Sequence, residues 1–212
     1  MRTVIFLHAV PQGPEAWTSQ IDALPEGFTG RALPLLGTRD AHGVDFRVDR
    51  AVAAILSELD DAGLDRVDLC GLSVGAMVAT QFVLDHPERV SSLVLSGSQM
   101  HTAPWLIKLQ LGLLQVAWRA VAPPGMSKQR LLSIVREIRD IDTRGAIRRI
   151  DTPTLVFCGA KDRPNLRAAR EIAAGIPEAE LQIVPGAKHL WNTQMPEEFS
   201  RRLGFFLTRQ TS

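Results

Sequence analysis

Cysteine is scarce in this chain, with only Cys70 and Cys158 among 212 residues. Neither belongs to a CxxC pair or to the Cys/His spacing of common metal sites, so the sequence predicts no metal ion and no other cofactor. Both residues end apolar runs, where a free thiol behaves as a small apolar side chain. We therefore expect two buried thiols without a disulfide, as in the reducing environment of the cytoplasm.

An excess of either charge is also absent, since 24 Lys and Arg residues oppose 23 Asp and Glu residues. A balanced chain lacks the positive field that attracts nucleic acid or an anionic membrane surface. One local excess of Lys and Arg lies between Lys128 and Arg149, and a solvated helix face explains it better than an anion site does. The expected partner is a small-molecule substrate, and the sequence leaves the oligomeric state open.

Long hydrophobic runs are missing as well. The apolar segment Thr3–Leu7 ends at His8, which makes it too short for the core of a signal peptide. The longer stretch Trp105–Val121 carries two charged and two glutamine side chains, which disfavour a membrane span. These absences predict a cytoplasmic protein without a transmembrane segment.

The composition that remains is typical of globular proteins, with 45% hydrophobic and 22% charged residues. The sequence contains no low-complexity tract, internal repeat or long linker. A chain of 212 residues is long enough for one domain with a full core. We therefore expect residues 1–212 to form a single domain.

Six short, mostly apolar runs alternate with helical patterns along the chain. Continuous apolar strands are typical of parallel sheets that helices cover on both faces, so the predicted fold class is α/β. The predicted strands are Thr3–Leu7, Gly30–Leu33, Arg66–Cys70, Ser92–Leu95, Thr154–Phe157 and Glu180–Val184. The predicted helices are Val48–Ala62, Val74–Asp85, Leu166–Gly175 and a final helix from Pro196 to about Leu207.

Residues 98–150 interrupt this alternation. They contain two helix-patterned pieces, Trp105–Val121 and Gln129–Ile141, with Pro123-Pro124-Gly125 between them. An inserted helical cap explains the interruption better than a further strand and helix. The leucines of the first piece favour an apolar substrate group, although packing against the domain explains them equally well.

The motif with the clearest chemistry is Gly71-Leu72-Ser73-Val74-Gly75. This G-x-S-x-G pattern lies between a predicted strand and a predicted helix, which is the setting of a nucleophile elbow. Glycines on both sides allow the sharp turn that exposes the serine. We therefore predict that Ser73 is a nucleophile, and the alternative is a small residue in a tight turn.

A serine hydroxyl is a weak nucleophile that needs a base, and the base needs an acid to orient it. Asp162 follows one predicted strand, and His189 follows the next. Loops after parallel strands emerge at the same edge of a sheet, so Ser73, Asp162 and His189 are expected to converge. The alternatives are a helix N-cap for Asp162 and an ordinary loop position for His189.

The order Ser, Asp, His along the chain resembles that of the α/β-hydrolase fold family. Leu7-His8-Ala9-Val10-Pro11 followed by Trp17 is similar to the oxyanion loop of that family. Val184-Pro185-Gly186-Ala187-Lys188-His189 is similar to its catalytic-histidine loop, and the likeness extends over nearly the whole chain. The resemblance implies an oxyanion hole formed by the backbone N–H groups of Val10 and Val74.

The sequence departs from the family pattern at three points. Ala9 in the oxyanion loop and Lys188 before the histidine stand where the family commonly has glycine. The chain also begins at the strand that is normally third. The resemblance therefore implies a minimal, mostly parallel sheet of six strands, without the two antiparallel edge strands.

The resemblance further implies a serine hydrolase that cleaves a carboxylic ester or a related acyl bond through an acyl-enzyme. With the leucines of the predicted cap, we expect its substrate to be small and apolar. The same triad also supports thioesterases, acyltransferases, C–C hydrolases, lactonases and cofactor-free perhydrolases, and the nucleophile motif does not separate them. A non-turnover ligand-binding protein derived from a hydrolase is the alternative of a different class.

Overall fold

Six strands form the centre of the molecule, for which the computed structural model describes residues 1–39, 43–101 and 126–210. The strands are β1 (Arg2–Leu7), β2 (Phe28–Leu33), β3 (Val67–Leu72), β4 (Val90–Ser96), β5 (Thr154–Gly159) and β6 (Glu180–Val184). They make one sheet in the order β2-β1-β3-β4-β5-β6, and all neighbours are parallel. All six predicted strands form, with small shifts at their ends, which confirms the α/β class.

Helices connect the strands. Those in the described ranges are α1 (Thr18–Asp22), α2 (Val48–Asp61), α3 (Val74–Asp85), α4 (Lys128–Arg139), α5 (Arg163–Gly175), α6 (Trp191–Gln194) and α7 (Pro196–Arg209). The structure starts α5 at Arg163 instead of the predicted Leu166, because Pro164 is well tolerated in a first helical turn. None of these helices is long and apolar enough to cross a membrane.

Both faces of the sheet are covered, as the continuous apolar strands predicted. Successive side chains of a strand point to opposite faces: Ile5 and Leu7 of β1 join one apolar cluster, and Val4 and Phe6 join the other. The first cluster contains buried side chains of α2, α3 and α5, and the second contains those of α7 and Trp191. This packing holds the sheet between two helical layers and leaves its strand ends free to carry loops.

The strand order reverses beside β1, where β2 lies on one side and β3 on the other. The connections that leave the carboxyl ends of β1 and β3 therefore run in opposite directions. Such a switch point leaves a crevice in which open α/β sheets bind ligands. The first residues after these two strands are His8 and Ser73.

The described part of residues 98–150 contains α4 and a 3-10 turn at Ile147–Arg149. The predicted helical piece Gln129–Ile141 corresponds to α4. The other predicted piece, Trp105–Val121, lies outside the described residues. The helical cap and the single-domain organisation stay predictions.

Candidate active site

Ser73 occupies the sharp turn between β3 and α3. Its backbone lies at φ 57° and ψ −118°, which is a strained conformation for a residue with a side chain. Gly75 permits the turn, because an added Cβ there would lie 2.2 Å from the Leu7 carbonyl oxygen and 2.7 Å from that of His8. The turn is therefore packed directly against the segment after β1, as a nucleophile elbow requires.

A continuous line of hydrogen bonds joins Ser73, His189 and Asp162. Ser73 Oγ lies 3.0 Å from His189 Nε2, and His189 Nδ1 lies 2.7 Å from Asp162 Oδ2. Because an ionised carboxylate can only accept, Nδ1 carries the hydrogen, and Nε2 is left to accept from the serine hydroxyl. The structure thus brings together three side chains that follow three different strands.

The Asp162 carboxylate is nearly buried, with 5% of its side chain exposed. Asp162 stands at the N-cap position of α5 but makes no capping hydrogen bond there, so the N-cap alternative does not describe its side chain. Instead, Asn165 Nδ2 donates to both carboxylate oxygens at 2.9 Å. The carboxylate is directed at His189, and the Asn165 amide holds it next to the histidine.

The loop that carries His189 is fixed by two contacts. The Lys188 backbone N–H donates to Gln194 Oε1 at 2.8 Å, and the buried Trp191 indole N–H donates to Ser96 Oγ at 2.9 Å. Trp191 therefore ties the loop to the end of β4 and serves packing, whereas the Lys188 side chain is exposed.

The two backbone N–H groups predicted for the oxyanion hole lie in segments that meet at the elbow. Val74 is the first residue of α3, and N–H groups of a first turn have no partner within the helix. Among the described residues, neither the Val74 N–H nor the Val10 N–H has a hydrogen-bond partner.

The segment around Ala9 is supported by the side chain of His8. The buried His8 ring places Nδ1 2.9 Å from the Ala9 carbonyl oxygen and Nε2 3.1 Å from the Leu35 backbone nitrogen. Within the described ranges, the non-glycine residues with a positive φ are Ser73 and Glu178. Alanine at a position where the family commonly has glycine is thus accommodated without left-handed backbone strain.

Three residues beside the site belong to no motif and were missed by the sequence analysis. Gly97 follows β4 at φ 57°, and an added Cβ there would lie 3.0 Å from two ring atoms of His189. Asn165 contacts Asp162, and Gln99 donates to Asn165 Oδ1 at 2.7 Å. Only Asn165 offered a signal, since it lies three residues after Asp162, on the same side of the first turn of a helix.

Both cysteines are free and buried, as predicted. Burial raises the pKa of the Cys158 thiol to about 12, and it also raises the pKa of Cys70. Thiols protonated in this way are poor nucleophiles at neutral pH. Within the described ranges, no three His, Cys, Asp or Glu side chains group closely enough to hold a metal ion.

Comparison with known proteins agrees with this architecture. The model of the Alpha/beta hydrolase family matches residues 4–202. A Bacillus subtilis protein that bears the name 2-succinyl-6-hydroxy-2,4-cyclohexadiene-1-carboxylate synthase is 25% identical over 247 residues, which cover 97% of this chain and 90% of that protein. The 2-hydroxy-6-oxo-2,4-heptadienoate hydrolase of Pseudomonas putida is 35% identical over 101 residues, which cover 45% of this chain and 37% of that protein.

Solved structures show the same fold. The enol-lactonase from Burkholderia xenovorans LB400 matches with a TM-score of 0.83 at 18% identity, covering 98% of this chain and 91% of that chain. At such low identity the likeness describes the fold alone, whereas the family model spans most of the sequence. The chain therefore belongs to the alpha/beta hydrolase family and is a hydrolase.

Proposed function

We propose that this hydrolase cleaves a carboxylic ester or a related acyl bond, with Ser73 as the nucleophile, His189 as the general base and Asp162 as the acid that orients the base. The observation that carries the proposal is the unbroken line of hydrogen bonds through these residues, at 3.0 Å and 2.7 Å. The line begins at a strained strand-to-helix turn, the setting in which a serine acts as nucleophile. Geometry and roles define such a triad.

The direction of these hydrogen bonds sets the order of proton transfers. As Ser73 Oγ attacks the carbonyl carbon, its proton passes to His189 Nε2. The other ring hydrogen stays on Nδ1 and keeps its hydrogen bond to Asp162. The resulting imidazolium is stabilised by a carboxylate 2.7 Å away. His189 then gives the proton to the leaving group, and the serine is left acylated. A water molecule, activated by the same histidine, releases the acid and restores the serine.

The oxyanion of the tetrahedral intermediate is proposed to bind the backbone N–H groups of Val10 and Val74. Val74 follows the nucleophile and opens α3, so the positive end of the helix dipole lies beside the developing negative charge. The close packing of Gly75 against the carbonyls of Leu7 and His8 supports the same role for the neighbouring Val10. Loss of one such donor lowers the rate about 10²- to 10³-fold in other enzymes.

A small, mainly apolar acyl compound is the proposed substrate class. The names of two similar proteins support the small size, because they refer to a cyclohexadiene carboxylate and a heptadienoate. The leucine-rich sequence of Trp105–Val121 agrees with an apolar group in the substrate.

Hydrolysis of a carbon–carbon bond on the same triad is the second candidate. It is favoured by the 35% identity to the 2-hydroxy-6-oxo-2,4-heptadienoate hydrolase of Pseudomonas putida over 101 residues. Parallel assays with p-nitrophenyl esters and with a 2-hydroxy-6-oxo-dienoate separate the candidates, since the true substrate class should give the higher kcat/KM.

Labelling with a fluorophosphonate probe tests the serine mechanism. We expect a single labelled peptide that contains Ser73, because an activated serine attacks the phosphorus of the probe, displaces fluoride and forms a stable phosphonate ester. Ser73→Ala should abolish both the label and p-nitrophenyl ester hydrolysis while keeping the melting temperature, since only one oxygen is removed from a turn. Hydrolysis at the wild-type rate by Ser73→Ala contradicts the proposal.

A further inference from the structure

A second line of hydrogen bonds runs to Asp162 from Gln99 through Asn165. Asn165 Nδ2 donates to both Asp162 oxygens at 2.9 Å, and Gln99 Nε2 donates to Asn165 Oδ1 at 2.7 Å. Asn165 is buried and Gln99 is half-buried. In the described part of the chain, the Asp162 carboxylate receives its hydrogen bonds from His189 and Asn165 alone. The Asn165 amide therefore binds both carboxylate oxygens and shares Oδ2 with the histidine.

The orientation of the Asn165 amide is set from both of its sides. A carboxylate only accepts, so the NH₂ group must face Asp162, and the amide oxygen then faces Gln99. The Gln99 side-chain nitrogen only donates, which matches that oxygen. If the Asn165 amide were flipped, its oxygen would lie 2.9 Å from an Asp162 carboxylate oxygen. Its nitrogen would lie 2.7 Å from the Gln99 side-chain nitrogen, and neither pair could form a hydrogen bond.

The same geometry explains a short contact between two nitrogens. Asn165 Nδ2 lies 3.2 Å from His189 Nδ1. Both atoms direct their hydrogens at Asp162, so this contact is packing between two donors that share one acceptor. It brings the amide close enough to restrict how far the carboxylate and the imidazole can rotate.

A neutral donor suits the proposed chemistry better than a cation. Lys or Arg beside Asp162 would also hold the carboxylate, but its charge would weaken the attraction of Asp162 for the imidazolium of His189. An amide holds the carboxylate and leaves its full negative charge to the histidine.

We infer that Asn165 is a positioning residue of the triad and that Gln99 acts through it, by fixing which end of the Asn165 amide faces Asp162. The inference rests on the proposed function, because it assigns both residues to the orientation of the catalytic acid. Neither residue touches the reacting atoms. Together they keep Asp162 Oδ2 directed at His189 Nδ1 during proton transfer.

The first test is Asn165→Leu, which keeps a side chain of similar shape but removes both donors. We expect kcat for a p-nitrophenyl ester to fall about 10- to 100-fold, the range for one hydrogen bond to a charged group. KM should stay unchanged, because the side chain does not contact substrate. Ala169→Gly is the matched control: it weakens α5 one turn further on, makes no hydrogen bond to the site, and should leave kcat unchanged.

The second test is Asn165→Asp, in which the new carboxyl group can donate to Asp162 only while it is protonated. Two carboxyl groups about 3 Å apart hold one proton between them more tightly than isolated groups do. The ratio of variant to wild-type kcat should therefore fall as the pH rises from about 5 to about 9, whereas the ratio for Asn165→Leu should not depend on pH. A merely structural defect would not create this difference.

The third test examines Gln99 through a double-mutant cycle. Gln99→Glu presents an acceptor to Asn165 Oδ1 and favours the flipped amide, so it should lower kcat more than Gln99→Met does. On the Asn165→Leu background the difference between the two Gln99 variants should vanish, because there is no amide left to orient.

The outcomes separate this inference from the proposed function. Absence of fluorophosphonate label on wild-type Ser73 overturns the proposed function itself. The positioning role of Asn165 is overturned if Asn165→Leu is labelled normally and keeps the wild-type kcat. It is also overturned if the ratio of Asn165→Asp kcat to wild-type kcat is constant or rises with pH. Additive effects of the Gln99 and Asn165 variants overturn the role of Gln99. If Asn165→Leu does not fold, Asn165→Asp and the Gln99 variants decide the question.

Discussion

Asp162 contacts an imidazole that gains charge in the proposed reaction and an amide that stays neutral. These two donors lie beside each other on one buried carboxylate, 3.2 Å apart, and each has a distinct effect. The imidazole contact fixes which ring nitrogen carries the hydrogen. The amide contact fixes where the carboxylate points.

Asp162→Asn should therefore lower kcat on the order of 10⁴-fold, as in other triads, while KM and the fold are retained. The amide favours the histidine tautomer in which Nε2 carries the hydrogen, and that nitrogen then cannot accept from Ser73. Steady-state hydrolysis of a p-nitrophenyl ester measures the effect. Asp140→Asn is the control, because this exposed carboxylate pairs with Arg139. Near-normal turnover by Asp162→Asn, together with a large loss in the control, would refute the assignment of the acid.

Gly97→Ala should lower kcat as well as the free energy of unfolding. Its φ of 57° lies in the left-handed region, and the added Cβ would lie 3.0 Å from the His189 ring, so that ring must shift. Gly63→Ala shares the backbone strain, with φ 63°, but an added Cβ there meets no atom within 4 Å. Both variants should lose about 1 kcal/mol of unfolding free energy in urea. Only Gly97→Ala should also lose turnover, and equal kcat in the two variants would argue against the contact.

At the scale of secondary-structure elements, α7 shows how a charge at a helix start responds to pH. Glu198 lies in its first turn and forms ion pairs with Arg201 and Arg202. The hydrogen bond from Arg201, with a further one from Arg202, lowers the pKa of Glu198 from 4.5 to about 2. The folded state thus binds this proton less tightly than the unfolded state. The stability gained is present above about pH 4.5 and is lost as the pH falls toward 2.

Glu198→Gln should lower the free energy of unfolding by about 0.5–1 kcal/mol at neutral pH, a value that allows for solvent around a surface pair. In urea titrations at decreasing pH, the difference from wild type should shrink from pH 4.5 downward, as the wild-type carboxylate becomes protonated. Glu197→Gln changes the same helical turn and should show a smaller, flatter difference. A difference that grows on acidification would contradict the ion-pair explanation.

The central strands give a second prediction at this scale, because β3 carries Cys70 and β5 carries Cys158. Burial raises the pKa of Cys158 to about 12 and raises that of Cys70, whereas a thiol in an unfolded chain has a pKa of about 8.5. A disulfide reagent at about pH 8 should therefore react with neither thiol in the native protein and with both in urea. Rapid reaction of the folded protein would show that a central strand opens.

At the scale of the whole molecule, the features that follow from local patterns were predictable. Continuous apolar runs indicated a covered parallel sheet, and the parallel arrangement explains why Ser73, Asp162 and His189 meet at one edge. Gln99 and Asn165 were not predictable in the same way, since they lie 66 positions apart. Their pairing depends on how the loop after β4 packs against the start of α5, and no periodicity or motif records that contact.

The line of hydrogen bonds at Ser73 also has a consequence for the time order of assembly. Ser73 and His189 lie 3.0 Å apart in space but 116 positions apart in the sequence, so the ribosome makes the turn at Ser73 long before it makes the proposed base, His189. A nascent chain that ends before β6 can contain a finished turn without a reactive serine. Sheets built from such distant segments fold more slowly than structures with local contacts. The rate at which probe labelling returns during refolding should therefore report when the last strand, β6, docks on the sheet. It should not report when the turn at Ser73 forms.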